Sequence, residues 1–265
     1  MIFRELVRDW RVVAMTFEIT LRQIAVNSFV LFGVFFQPLI IALLAIWMLH
    51  PSGADSAIFV VVGSGMTGLW STLLFVGGNS ITTERWTGTL ESLVGQPTPV
   101  SVVIFGKNLA TVLLSLIAMV ASYALSSVVF GTPLHIAQPW IFFLSLGFTV
   151  GSFVCFGLII APIFILNPGV QQWQNALEFP VYILAGFLFP IALLPGWTTP
   201  ISYLLAPYWA ARVLHAASTG TATTGEAALC WGMMTLFSLI YLGVSSRLMN
   251  AMLHKARVDA TLGME

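Results

Sequence analysis

The chain has 265 residues, ten acidic and ten basic side chains, and a composition that is 58% hydrophobic and only 8% charged. Soluble domains carry about 25% charged residues, so one aqueous core is excluded and lipid is the expected solvent. The neutral balance, with no aromatic-basic interleaving of the kind a strand-binding groove uses, sets nucleic acid aside as a partner. Cys155 and Cys230 fall in apolar stretches and read as small packing residues.

Residues 3–26 place Phe3, Leu6, Val7, Trp10, Ala14, Phe17, Leu21, Ile24 and Ala25 at helical spacing, with Arg4, Arg8, Arg11, Glu18 and Arg22 interleaved on the other side. Residues 1–26 therefore read as an interfacial helix, its apolar face in the headgroup boundary and its arginines on anionic lipid; packing on another subunit is the alternative. No cleavable signal peptide is expected, because the first apolar run is long, contains Pro38 and lacks a small-residue cleavage pattern.

Six candidate spans follow: Asn27–Leu49, Ala57–Ile81, Lys107–Phe130, Trp140–Leu166, Leu177–Leu194 and Ala227–Met249. Each approaches the length of about 20 apolar residues that hydrocarbon demands. Arg4, Arg8, Arg11, Arg22, Arg85, Lys107, Arg247, Lys255 and Arg257 then share one face, and Arg212 alone falls on the other. The positive-inside rule puts that face, with both termini and residues 82–107, in the cytoplasm. Short outer loops leave no room for an external domain, so the whole chain, 1–265, reads as one transmembrane domain.

Residues 186–214 break the pattern. Pro190, Pro195, Pro200 and Pro207 interrupt a segment kept apolar by Phe187, Phe189, Trp197, Tyr203, Tyr208 and Trp209. A continuous span cannot hold that proline density. The segment reads as the outer end of span five followed by one or two short re-entrant or interfacial helices; an aromatic-rich boundary loop is the plainer alternative.

Several motifs lose their usual meaning in this setting. Gly63, Gly65 and Gly68 spell a dinucleotide fingerprint, but inside an apolar helix they read as close-packing positions, as do Gly147 and Gly151. Gly106-Lys107 looks like the end of a phosphate loop, yet Ser101 stands where its first glycine belongs and Asn108 where Ser or Thr should follow. His50, His135, His215 and His254 lack metal-ligand spacing and read as boundary residues; no metal site or catalytic set is expected. Glu178, preceded by Gln171, Gln172, Gln174 and Asn175, must face protein, water or the cytoplasmic boundary, and the last is the simplest reading.

The informative stretch is residues 82–97, a cytoplasmic segment between spans two and three. Trp86, Leu90, Leu93 and Val94 form a helical stripe, Thr83 can cap its start, Glu84 sits in the first turn and Pro97 stops it. Such a helix can lie passively on lipid or insert its apolar face into a partner's groove. Periodicity does not choose.

Glu84-Arg85, Gly88-Thr89-Leu90-Glu91, Leu93, Pro97 and Gly106-Lys107 resemble the E-R-x-x-G-T-L-E-x-L-x-x-x-P signature, followed by G-K, of ABC-2 type transporter permeases. Gly186-Phe187, Pro190, Leu194-Pro195, Trp197 and Pro207 resemble that family's G-x-x-x-P, L-P-x-W, P pattern between spans five and six. Trp86 departs from it, standing where many members carry a charged residue. The resemblance covers essentially the whole chain. It implies an all-α integral membrane fold with an amphipathic N-terminal helix, six spans and a re-entrant segment, in the bacterial inner membrane.

The resemblance further implies no catalysis and no cofactor in this chain. ATP and Mg would sit on a separate ABC ATPase subunit, and a second permease subunit, identical or a sister chain, would complete the assembly. Glu84, Arg85, Trp86, Gly88, Thr89, Leu90, Glu91 and Leu93 become the coupling helix seated on the ATPase. Trp86, Leu90 and Leu93 would be its apolar anchor and Glu84, Arg85 and Glu91 its polar rim. By position, Trp70, Phe75 and Asn79 of span two and Phe179, Tyr182, Phe187 and Phe189 of span five line the substrate path, and Pro190, Pro195 and Trp197 form an outer gate. This largely aromatic, uncharged wall suits an amphipathic, drug- or antibiotic-like cargo; a lipid-linked saccharide or lipid is the alternative. A membrane-embedded lipid-modifying enzyme would need polar residues clustered at one depth, which are not found. An ion-coupled carrier would usually show buried carboxylates and internal repeats, and neither is apparent.

Overall fold

The computed structural model describes residues 2–49, 54–79, 82–84, 87–89, 92–93, 95–96, 98–130, 135–166 and 174–259. Every regular element among them is helical: α1 (Ile2–Val26), α2 (Ser28–Leu49), α3 (Ala54–Thr72), α4 (Val100–Phe130), α5 (Pro139–Leu166), α6 (Gln174–Leu184), α7 (Thr199–Tyr203), α8 (Ala206–Thr219) and α9 (Thr224–Asp259). With no water to bond the backbone, a helix satisfies its own groups internally, which suits so apolar a sequence. Among the described residues four helical stretches are long and apolar enough to cross a membrane: Ile58–Glu84, Val100–Ala124, Pro139–Phe164 and Thr224–Met252. A fifth is a bent pair, Val7–Val26 with Val30–Ile41, folded by 86°.

The bend sits at Asn27, whose side-chain oxygen accepts the Val30 N–H at 3.2 Å and so caps α2. On the near side of the bend α1 packs along α4, burying Val13, Thr20 and Ile24 while Trp10, Met15 and Ile19 stay exposed. The amphipathic stripe thus places α1 sideways against the bundle.

At the centre is α3, packed on α2, α4 and α8. From Val60 to Leu74 every residue is buried, as expected of a helix that is apolar or small all round. Its glycines carry those contacts: a Cβ on Gly63 would stand 1.8 Å from the Phe187 carbonyl oxygen, and one on Gly65 2.4 Å from Met119 Cγ. Past Thr72 the helix loosens into a π-turn, Leu73–Gly77, in which the Gly78 N–H reaches back five residues to the Leu73 carbonyl at 2.9 Å.

Four expectations need correction. The segment Leu177–Leu194 is not one helix: α6 ends at Leu184, and the chain turns at Gly186 (φ +69°) into two 3-10 turns, Ile191–Leu193 and Gly196–Thr198, each preceded by a proline. Eleven residues of α6 cover about 16 Å, half the hydrocarbon thickness. Beyond the turns, α7 and α8 are the short helices expected over 186–214. Next, α4 begins at Val100, just after Pro99, so Lys107 lies two turns inside a helix. Gly147 and Gly151 are not close-packing positions among the described residues, since a Cβ on either meets no atom of them within 4 Å. Finally, His215 is buried in α8 and is no boundary residue; its Nε2 lies 3.1 Å from the Phe187 carbonyl oxygen and its ring stacks on Phe59 at 3.7 Å. Of the other histidines, His135 is exposed, and His50 and the side chain of His254 lie outside the described residues.

The contrast between glycines is testable. Gly63→Ala forces a methyl into a backbone carbonyl and should cost about 1–3 kcal/mol or more, whereas Gly147→Ala should be near neutral. Thermal unfolding of the two detergent-purified variants beside the native chain checks both.

Candidate coupling and translocation site

At one end of the bundle, beyond the apolar stretch read as span two, Thr82–Glu84 continue the helical path of α3. Thr83 is interior to this helix and does not cap a new one, because its N–H and its hydroxyl both donate to the Asn79 carbonyl at 2.9 Å. The path ends in a left-handed residue, Gly88 (φ +72°), and the Thr89 N–H returns to the Glu84 carbonyl at 2.9 Å. That six-to-one bond with glycine at the left-handed position is a Schellman stop. One continuous helix over 82–97 is therefore corrected to a helix end, a glycine turn and a second turn in which the Leu93 N–H bonds the Thr89 carbonyl at 3.0 Å.

The turn aims Glu84 back at the bundle. Lys107 Nζ donates to Glu84 Oε1 at 2.6 Å, forming a charge-assisted bridge from the end of α3 to α4, and the Thr89 hydroxyl donates to the same carboxylate. Burial pushes the Glu84 carboxyl up, but the hydrogen bonds from Lys107 and Thr89 and the Lys107 charge outweigh it and hold it below the usual carboxylate value. Leu93 packs inward, on a small core of Val100, Ile104, Leu158, Ala161, Met249 and Met252 that joins α4, α5 and α9. Of the other residues assigned to the coupling helix, Gly88 and Thr89 are exposed, while Arg85, Trp86, Leu90 and Glu91 lie outside the described residues.

The residues read as a substrate path fall into two groups. Phe179, Tyr182 and Phe187 come together, with ring centroids 6.0 Å apart for the first pair and 5.9 Å for the second. Phe179 is exposed, Tyr182 and Phe187 are buried, and Phe189 is half-buried. Trp70 points elsewhere: it is buried against Phe153 and Phe156 of α5, at 5.7 and 4.8 Å. Phe75 is half-buried in the π-turn, and Asn79 accepts a hydrogen bond from Gln174 at 3.2 Å. Pro190 and Pro195 open the two 3-10 turns at the surface, and Trp197, inside the second of them, is 71% exposed.

Sequence reading missed the polar groups between these elements. Glu178, expected at a boundary, is 4% exposed, and its Oε1 accepts from Gln37 Nε2 of α2 at 3.5 Å and from the Tyr182 hydroxyl. Ser71 of α3 donates to Gln37 Oε1 at 3.3 Å, and the Tyr182 oxygen is 3.3 Å from the Thr67 carbonyl. The four-residue spacing of Glu178 and Tyr182 is a helical-face signal visible in sequence; Gln37, 141 positions away, carried none. Among the described residues no group of three or more His, Cys, Asp or Glu side chains is placed to hold a metal ion.

The Glu84–Lys107 bridge predicts two outcomes. Losing either partner alone, in Glu84→Gln or Lys107→Met, should destabilise more than half as much as losing both, leaving a coupling energy of about 0.5–3 kcal/mol in a double-mutant cycle. The lowered carboxyl makes the bridge's contribution fully present above the ordinary carboxylate range, and protonation removes it as pH falls through the folded value; unfolding midpoints of the native chain should drop over that acid range and those of Glu84→Gln should drop less.

Comparison with known proteins adds one match: the family model described as ABC-2 type transporter aligns with residues 2–218. No curated protein matches the chain.

Proposed function

The chain belongs to the ABC-2 type transporter family, a multi-pass membrane permease that works with an ABC ATPase, and from that premise we propose that it exports a hydrophobic or amphipathic, drug- or antibiotic-like cargo. The Glu84–Lys107 bridge carries the mechanistic part of this reading. It clamps the segment between α3 and α4 to both helices at once, so a push on that segment moves two long helices together. One of them, α3, is buried on all sides, and movement there is passed to its neighbours α2, α4 and α8.

In this reading the 82–97 segment docks on the ATPase, where ATP and Mg are bound, through Trp86 and Leu90 with Arg85 and Glu91 around them. Leu93 and Glu84 face the permease itself and anchor the segment from above. Six crossings are proposed, α2 and a fifth that includes α6 among them, with α1 lying in the interface. Two permease subunits enclose the path, both termini face the cytoplasm of a bacterial cell, and the turns at Pro190 and Pro195 with Trp197 gate the outer side. The aromatic set Phe179, Tyr182 and Phe187 supports an amphipathic cargo, because the exposed Phe179 ring offers an apolar contact backed by the buried Tyr182 and Phe187 rings.

The test is co-reconstitution of the chain with its ATPase in lipid vesicles. Leu90→Asp should abolish association, and Glu84→Gln should keep association while cutting transport per ATP hydrolysed at least tenfold. Native transport in both variants would remove the coupling role; ATP-independent movement of cargo would remove the export reading itself.

A further inference from the structure

Glu178 is a buried acid with no basic side chain paired to it among the described residues. The ion pairs among the described residues join Arg8 to Asp9, Arg22 to Glu18, Lys107 to Glu84 and Arg212 to Glu226. None reaches Glu178, whose hydrogen-bond partners are the neutral donors Gln37 and Tyr182. These dipoles orient the carboxylate without neutralising it. A carboxylate held in an apolar bundle costs several kcal/mol unless a positive charge or a proton joins it.

The surroundings of Glu178 are aromatic. Tyr182 sits one helical turn from Glu178, and its ring contacts those of Phe179 and Phe187. Phe179, adjacent in sequence, is 58% exposed and so opens this cluster to the surface of the chain. On α2, the helix that supplies Gln37, Phe32 and Phe36 stack at 4.6 Å and are likewise exposed. Aromatic faces attract cations more strongly when water is excluded, and a carboxylate at their base adds the counter-charge. Both α2 and α6 rest on α3, whose Ser71 and Thr67 complete the polar floor through Gln37 and Tyr182.

We propose that Glu178 is the recognition carboxylate for a cationic amphiphile, bound between α2 and α6 with its charge on Glu178 and its apolar bulk on Tyr182 and Phe179. This narrows the cargo class and rests on the export reading above. The Tyr182 hydroxyl has two acceptors within reach, the Glu178 carboxylate and the Thr67 carbonyl, and shifts to the second when a cation draws on Glu178. No bond is made or broken beyond these hydrogen bonds.

The experiment is equilibrium binding of tetraphenylphosphonium, a delocalised aromatic cation, to the purified permease in lipid nanodiscs, beside the neutral triphenylphosphine oxide. The native chain should bind the cation saturably and at least tenfold more tightly than the neutral compound, a difference of about 1.4 kcal/mol. Glu178→Gln, which keeps shape and hydrogen-bonding capacity, should erase that preference, and Glu178→Asp should recover part of it. Equal affinity for the two compounds in the native chain, or an unchanged preference in Glu178→Gln, overturns the proposal and leaves Glu178 a structural residue. Because binding is read without the ATPase, a separate failure of the cation to stimulate ATP hydrolysis in the reconstituted complex would count against the export reading and leave the cation site standing.

Discussion

Hydrocarbon offers no hydrogen bonds, so each place where a helix breaks inside this bundle has to be repaired by the chain's own atoms. One such break is at Gly186. It frees the Phe187 carbonyl, and the interior meets that carbonyl twice: His215 of α8 comes within hydrogen-bond distance, and Gly63 of α3 lets the backbone approach with no side chain between. A buried, stacked imidazole and a bare α-carbon are thus two halves of one solution. Through them the turn that follows α6 is fastened to the central helix, and α8 is fixed in place behind it.

The same logic runs at the opposite end of α3. There the problem is charge, since Lys107 lies inside α4 and Glu84 at the end of a long apolar helix. Each is tolerable because the other is present, and the Schellman turn at Gly88 is what points Glu84 inward. The bundle is therefore held at both ends of α3 by contacts that are local in space and remote in sequence. The stretch between, buried from Val60 to Leu74, connects them.

What could be read from sequence follows from this arrangement. Composition and hydropathy run along the chain, so the all-helical membrane class, the central apolar helix and the amphipathic α1 were legible, and the E-R-x-x-G-T-L-E run together with its proline-rich counterpart pointed to the family. The packing role of Gly63 was legible for the same reason. Lost to sequence were the features set by partners across the fold. Glu178 looked like a boundary residue because its donor Gln37 is in α2, and His215 looked like a span-end polar group because its acceptor is in another helix. The shortness of α6 was masked by the apolar residues that continue past Gly186, which hydropathy cannot distinguish from a helix. The stripe Trp86, Leu90, Leu93 and Val94 assumed a helical period straight through Gly88, whose left-handed backbone ends it.

The π-turn at Leu73–Gly77 alters the arithmetic of α3. A bond reaching five residues back places one more residue in that turn than an α-helix would hold, so the faces before and after it are offset by roughly 100° from a regular helical count. Trp70, above the turn, therefore looks toward α5, and Asn79, below it, meets Gln174. The segment tolerates a change of length that would be ruinous elsewhere in the bundle: removing one residue between Leu73 and Gly77 restores α-helical bonding without disturbing either flank's phase with its neighbours. Length polymorphism among sequences of this architecture should accordingly gather at this turn, as single-residue gaps in an otherwise ungapped helix.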